Sequence, residues 1–381
     1  MNIVDWLVGQ ALPVWSRTGV DTRAGGFFEQ IDLQGRAVEA PRRARVVARQ
    51  IYVFATAARR GWLQGADALV EHGLAFLFDR MRLPGGTFAA SVRPDGTVVD
   101  GGFDLYEQAF VLFALAAARQ GRPEREALRG EAEALLAAVR GRWAHPQRGF
   151  EESDPRTLPL RSNPHMHLLE AALAWAEISE GREQRVWEAL ADELAALCLA
   201  HFIAPATGAL HEQFDGDWRP MRGAPGELVE PGHQFEWAWL LTRWARRGAR
   251  PQARAAAQRL LDIGETRGVD RGRGVAVNAL GAGLRVTDGM AKVWPQTERI
   301  KAWHAATADG TPAQAALAPA KVAEALQGLS HYVLPAPAGL WHEQMNPDGS
   351  FALQDCRASS LYHIVCAIDT LQDAPAARAH S

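Results

Sequence analysis

Three histidines recur in one kind of setting. His167 lies in Asn163-Pro164-His165-Met166-His167-Leu168-Leu169-Glu170, His233 in Pro231-Gly232-His233-Gln234-Phe235-Glu236-Trp237, and His363 in Ser359-Ser360-Leu361-Tyr362-His363. In the first two a glutamate follows three residues on, which places imidazole and carboxylate on one face of a helix. An imidazole with a pKa of about 6.5 takes a proton when neutral and returns one when charged, close to neutral pH. Polar residues stand at comparable places elsewhere: Arg45 and Arg49 before Tyr52, Asp104-Leu105-Tyr106-Glu107-Gln108, and Trp294-Pro295-Gln296-Thr297-Glu298. One histidine at a helix start more often caps the helix or fills the core. Three at equivalent places in a repeating chain point to proton-transfer chemistry. Glu107, Glu170, Glu236 and Glu298 also suit helix N-termini, where negative charge complements the dipole by roughly 0.3–1 kcal/mol.

The repeat that makes those places equivalent is led by glycine. Its copies are Gly25-Gly26-Phe27-Phe28-Glu29-Gln30, Gly85-Gly86-Thr87-Phe88, Gly149-Phe150-Glu151-Glu152, Gly208-Ala209-Leu210-His211-Glu212-Gln213, Gly274-Val275-Ala276-Val277-Asn278 and Gly339-Leu340-Trp341-His342-Glu343-Gln344. Counted from Gly26, the spacings are 60, 63, 59, 66 and 65 residues. Between the copies apolar residues fall at helical intervals. Twelve helices are expected, near 2–17, 45–60, 67–82, 104–120, 123–142, 166–180, 183–202, 233–247, 251–267, 288–305, 313–331 and 359–372. Gly121-Arg122-Pro123, Gly181 and Gly248-Ala249-Arg250-Pro251 make tight links. The other links are long, roughly 20–30 residues, and carry the glycine signature and turns such as Pro94-Asp95-Gly96 and Pro347-Asp348-Gly349. Alternating short and long links gather all long links at one end of a ring of up-and-down helices. The expected fold is all-α, an (α/α)6 barrel with short β-hairpins in the long loops at one end, spanning 1–381 as one catalytic domain. Helices apolar nearly all round form the inner ring. Charged-faced ones, such as 123–142, form the outer ring.

Composition narrows the partners. The 381 residues are 48% hydrophobic and 22% charged, with a net charge of -3. That charge offers no basic field for nucleic acid. No stretch reaches the ~18 apolar residues of a membrane span, and the start MNIVDWLVGQALPVW lacks a basic leader region, so a cytoplasmic location is expected. A small molecule is the expected partner, and a homodimer remains an open arrangement. Cys198, Cys356 and Cys366 show no CxxC spacing and read as reduced thiols. Thirteen Trp against four Tyr is unusual; indoles suit the C–H faces of sugars, although they also fill cores. No phosphate loop or GxGxxG is present, and the His-x-x-Glu order reverses that of carboxylate-bridged dimetal sites. Neither cofactor nor metal is therefore expected.

With these residues in view, the chain resembles the N-acylglucosamine 2-epimerase family over nearly its whole length. The resemblance is carried by Ala48-Arg49-Gln50-Ile51-Tyr52-Val53-Phe54, Asn163-x-x-Met166-His167, Pro231-Gly232-His233-x-x-Glu236-Trp237, Trp294-Pro295-Gln296-Thr297-Glu298 and Tyr362-His363, in this order. It implies that Arg49 binds sugar oxygens near the reacting carbons, and that His167 with Asn163 holds the ring or polarises the carbonyl. It makes His233 and His363 the acid–base pair, with Glu236 positioning His233 and with Trp237 and Trp294 packed on the sugar. Tyr106, Glu170 and Glu298 complete the expected binding set. The last segment departs from the disaccharide epimerases, which often carry Trp close before the final histidine; here Ala358-Ser359-Ser360-Leu361-Tyr362 precedes it. That departure favours a free monosaccharide, D-mannose going to D-fructose, and D-lyxose also falls within reach. A 2-epimerase is the alternative. A hydrolase using two of the four glutamates is a third reading. The cluster Arg42-Arg43-Arg45 reads as a loop-pairing patch outside the mouth.

Overall fold

The structure, a computed structural model, describes residues 2–373. Twelve long helices among the described residues are α1 (3–18), α2 (Ala44–Arg60), α3 (66–81), α4 (Leu105–Arg119), α5 (Ala127–Trp143), α6 (Ser162–Ile178), α7 (181–202), α8 (Pro231–Arg246), α9 (Pro251–Gly268), α10 (Trp294–Asp309), α11 (Pro312–Val333) and α12 (Ala358–Gln372). The even-numbered helices form the inner ring, each packed on the next, with α12 closing on α2. Helices α3, α5, α7, α9 and α11 each lie outside the inner helix they follow. Helix α1 sets Trp6 and Trp15 against Trp341 of the last long link. The expected (α/α)6 barrel is the observed one. Three helix starts differ by four residues or more. The fifth begins at Ala127, because Pro123–Arg125 form a separate 3-10 turn. The sixth helix starts at Ser162, because Pro164 in the first turn lacks only an N–H that would be unpaired there. The tenth starts at Trp294, after strands Val286–Asp288 and Ala291–Lys292 take the residues before it.

The glycine signature is explained by backbone geometry. Gly26, Gly86, Gly149, Gly208, Gly274 and Gly339 all have φ between 70° and 82°, a region closed to most side chains. At five of them the chain leaves an outer helix and turns back on itself, pairing Val20 with Phe27, Arg82 with Phe88, Ala144 with Phe150, Ile203 with Leu210 and Val269 with Ala276. An inner-helix amide then clamps the returning strand. Gln108, Gln234 and Gln296 each accept from the backbone N–H of one residue and donate to its C=O, at Phe88, Leu210 and Ala276, all at 2.8–2.9 Å. His165 takes the same place at Phe150.

The glutamate of the signature ties successive repeats together. Glu29, Glu152, Glu212 and Glu343 accept from the backbone N–H of Arg43, Arg161, Glu230 and Arg357, the N-cap residues of α2, α6, α8 and α12. Backbone oxygens of all four serve the inner helix before: Glu152 accepts from Leu105, Glu212 from Ser162, Glu343 from Val293, and Glu29 from Ala358, which closes the ring. Two-residue strands reinforce the ties, Phe103–Asp104 with Ser153–Asp154, Leu160–Arg161 with Gln213–Phe214, and Cys356–Arg357 with Gln30–Ile31. Hairpins within a link occur as expected, as at Ser91–Val92 with Val98–Asp100, but much of the pairing runs between links. Among the described residues no helix is long and apolar enough to cross a membrane.

Replacing Gly274 by Ala puts a Cβ in open space at φ 71°, so urea unfolding should show a loss of about 1–2 kcal/mol. Gly149→Ala should cost more, because its Cβ would lie 2.8 Å from Leu197 and 3.1 Å from the His165 ring. Equal losses would show that the turn alone decides the glycine.

Candidate active site

The N-termini of the inner helices surround a cavity of about 480 Å³, walled by Arg49, Tyr106, Asn163, His167, His233, Glu236, Trp294 and His363 among others. Each histidine points Nδ1 at a carboxylate: His167 at Glu170 (3.0 Å), His233 at Glu212 (2.9 Å) and His363 at Glu298 (2.9 Å). Nε2 is left as each ring's second polar atom. The Trp294 ring lies 5.1 Å from that of His233 and 5.6 Å from that of His363, bridging the two. Arg49 is buried and hydrogen-bonds Tyr106 Oη at 2.9 Å, with its guanidinium 4.0 Å from the Phe110 ring. Among the described residues it has no ion-pair partner, so its charge is held for something in the cavity.

Surroundings drive the three imidazoles apart. Burial works against charge on His233, but Glu212, then Glu230 and Glu236, push it up to about 10. Burial lowers His167 to about 4, with Glu170 opposing. His363 is held well below the usual imidazole range by burial and by the positive charges of Arg49 and Lys301. Glu298 does not reverse this, because Lys301 Nζ lies 2.6 Å from its other oxygen and neutralises it. Lys301 is fully buried; burial opposes its charge, yet Cys366 and the carboxylates of Glu298, Glu236 and Glu170 keep it protonated. Glu236 has neither oxygen hydrogen-bonded and is pushed well above the ordinary range by burial and by Glu298. Around neutral pH His233 is cationic, whereas His167 and His363 are neutral.

Most of the expected site residues meet here, and the departures have physical reasons. Trp237 is fully buried and off the cavity wall. One residue beyond Glu236 it is turned about 100° round α8, and its ring faces Phe202 of α7 at 5.9 Å. Glu170 and Glu298 also lie behind the wall, each holding an imidazole rather than facing the cavity. Glu212, not Glu236, positions His233. Glu212 was legible only as a member of the glycine signature, and Lys301 only as a cation three residues beyond Glu298 on the same helix. Tyr362 Oη donates to Glu170 at 2.6 Å. Arg42 pairs with Asp21, Arg43 with Glu29 and Arg45 with Glu107, which accounts for that cluster as loop pairing. Two sets, His167 with Glu170 and Glu236, and Glu236 with Glu298 and His363, bring donor atoms within 4.8 Å of one another. Lys301 already supplies positive charge to the second.

Histidines held by carboxylates at the mouth of an (α/α)6 barrel, beside the half-buried indole of Trp294 and an arginine with no ion-pair partner among the described residues, make up the candidate active site. The chain belongs to the N-acylglucosamine 2-epimerase (GlcNAc 2-epimerase) family, whose pattern matches residues 26–367. It is 45% identical over 376 residues to a mannose-6-phosphate isomerase of Rhizobium meliloti (strain 1021), covering 98% of this chain and 96% of that one. It is 34% identical over 215 residues to a D-mannose isomerase of Thermobifida fusca, about half of each chain. A crystal structure of D-mannose isomerase superposes with a TM-score of 0.86 at 18% identity, covering 97% of both chains. The chain is thus an enzyme of the isomerase and epimerase type, and the hydrolase reading falls away.

Glu212→Gln keeps the shape of the side chain and removes its charge, so NMR titration should find His233 losing its proton well below pH 10. Lys301→Met should raise His363 toward the ordinary imidazole value and destabilise the fold by about 3–5 kcal/mol, since Glu298 is left buried without its partner. A His233 titration unmoved by Glu212→Gln would show that Glu212 does not hold its proton.

Proposed function

We propose that the enzyme is an aldose–ketose isomerase for a monosaccharide of mannose configuration, converting D-mannose to D-fructose, with D-lyxose as the five-carbon counterpart. The observation that carries this reading is the divergence of two histidines beside one indole face: His233 keeps its proton to about 10, whereas His363 loses it well below 6.5. Pairs of groups driven apart in this way divide into acid and base. The imidazolium of His233 donates to the ring oxygen as the pyranose opens. Neutral His363 takes the C2 proton of the open chain, and the electron pair left behind makes a cis-enediolate with negative charge on O1. The guanidinium of Arg49 donates to the enediolate oxygens in a water-poor site where such bonds are strongest, while neutral His167, whose one N–H goes to Glu170, accepts from a sugar hydroxyl through Nε2. A proton passes from O2 to O1, and His363 returns its own to C1, giving the ketose. Glu236, on the cavity wall and pushed above the ordinary carboxylate range by burial, is a hydrogen-bonding partner for a sugar hydroxyl. The names of the two curated relatives support the mannose configuration. Return of a proton to C2 from the side of His233 would give the 2-epimer instead; that reading has the family name and the cationic state of His233 behind it, and product analysis separates the two.

His363→Asn should lower turnover by more than about a thousandfold with little change in sugar binding, because it removes a group used in the transition state. It should also stop exchange of the C2 hydrogen with deuterated water. His233→Asn should slow turnover of the cyclic sugar while retaining slow exchange on the open chain. Exchange that persists in the His363 variant and vanishes in the His233 variant would reverse the assignment.

Activity should survive exhaustive dialysis against chelator. Loss restored by zinc or manganese would bring the two His–Glu sets into play as a metal centre and would replace proton transfer by a metal-assisted route.

A further inference from the structure

We propose that Lys292 and Arg357, at the outer wall of the cavity, form a subsite for a phosphate monoester on the sugar carbon farthest from the reacting end. The proposal rests on the isomerase reading above and extends it beyond free D-mannose, naming as a substrate class for the same cavity the 6-phosphate of a mannose-configured sugar. Both side chains are exposed and both line the same cavity as the histidines. Lys292 ends the strand that leads to Trp294, and Arg357 ends the strand that leads into the helix of His363. Their backbone N–H groups are satisfied, by Asn278 Oδ1 at 3.0 Å and by Glu343 Oε1 at 2.7 Å. Among the described residues neither side chain makes a hydrogen bond or an ion pair.

The repeat shows why that is unusual. Arg43, Arg161 and Arg357 are all N-cap residues of inner helices, and each donates its backbone N–H to the glutamate of its signature. Arg43 and Arg161 also turn their guanidinium onto that glutamate, Glu29 and Glu152. Arg357 does not. The oxygens of Glu343 are taken by Trp341 Nε1 and Ser360 Oγ, both at 2.8 Å, which leaves the guanidinium facing the cavity. A planar fork and a mobile ammonium on one wall suit a dianionic group with several oxygens. Glu230 and Glu343 face the same region, but Glu230 lies 3.9 Å from His233 Nδ1 and Glu343 accepts from Trp341, Arg357 N–H and Ser360, so both are already engaged. A cavity of about 480 Å³ leaves room beyond a hexose for such a substituent. The clustered arginines Arg42, Arg43 and Arg45 are all paired elsewhere.

Calorimetric titration with mannitol 6-phosphate and with mannitol tests the subsite apart from turnover, because neither polyol has a carbonyl to isomerise. The unaltered enzyme should bind the phosphorylated polyol at least about tenfold more tightly, as expected for charge-assisted contacts. Lys292→Met and Arg357→Met should each remove most of that preference and together bring the two affinities close to parity, with mannitol binding retained as the sign of an intact site. Equal affinities in the unaltered enzyme, or a preference that survives the double substitution, would overturn the proposal. So would inorganic phosphate binding as tightly as mannitol 6-phosphate, which would make this a site for free phosphate. Intact, Lys292- and Arg357-dependent binding with no turnover of mannose or mannose 6-phosphate would sink the isomerase reading and leave the subsite standing.

Discussion

Six helices that all begin at one end of a ring bring six sets of unpaired N–H groups to one place, and most of the architecture follows from satisfying them. Water would do so on a surface, but these termini wall a cavity. The chain uses carboxylates from its long links instead. Glu29, Glu152, Glu212 and Glu343 reach the N-cap amides with their side chains, and their backbone oxygens reach the neighbouring helix. One residue type therefore caps helices, joins repeats and loads the mouth with negative charge.

That charge is what the histidines are set against. Glu212 caps α8 and, with its other oxygen, holds His233. On the opposite side Glu298 would do the same to His363, except that Lys301 has already neutralised it. Two imidazoles in matching positions thus differ in protonation, with burial, Arg49 and the buried Lys301 all acting against charge on His363. Burying an ion pair returns little stability, and the arrangement makes better sense as a way of setting proton affinity. Arg49, lodged between Phe110 and Tyr362 without a counter-charge, adds a second positive field that keeps His363 neutral.

The ring and its polarity were legible because the glycine signature recurs with the period of a helix pair and because short and long links alternate. The three histidines were legible for the same reason. What escaped was any contact between residues distant in sequence. Spacing paired His233 with Glu236, three residues on, although a carboxylate 21 residues upstream lies closer. The family resemblance set Trp237 on the sugar, yet a turn of about 100° from Glu236 places it in the layer between helices. Lys301 was passed over since a lone lysine in a helix is ordinarily a surface residue; only burial reveals it.

The ring is closed by groups from opposite ends of the chain. Gln50 donates to the backbone oxygen of Ala358, 308 residues away, and Gln30 pairs with Arg357. During synthesis, therefore, α2 and α10 emerge with their facing sides bare and stay so until α12 arrives to cover both. A nascent chain at that stage is a barrel lacking one stave, with apolar surface open to other unfinished chains, and it depends on shielding until the ribosome releases the rest. The stave that completes it is also the one that carries His363, so closure of the wall and completion of the cavity lined by the three histidines are a single event.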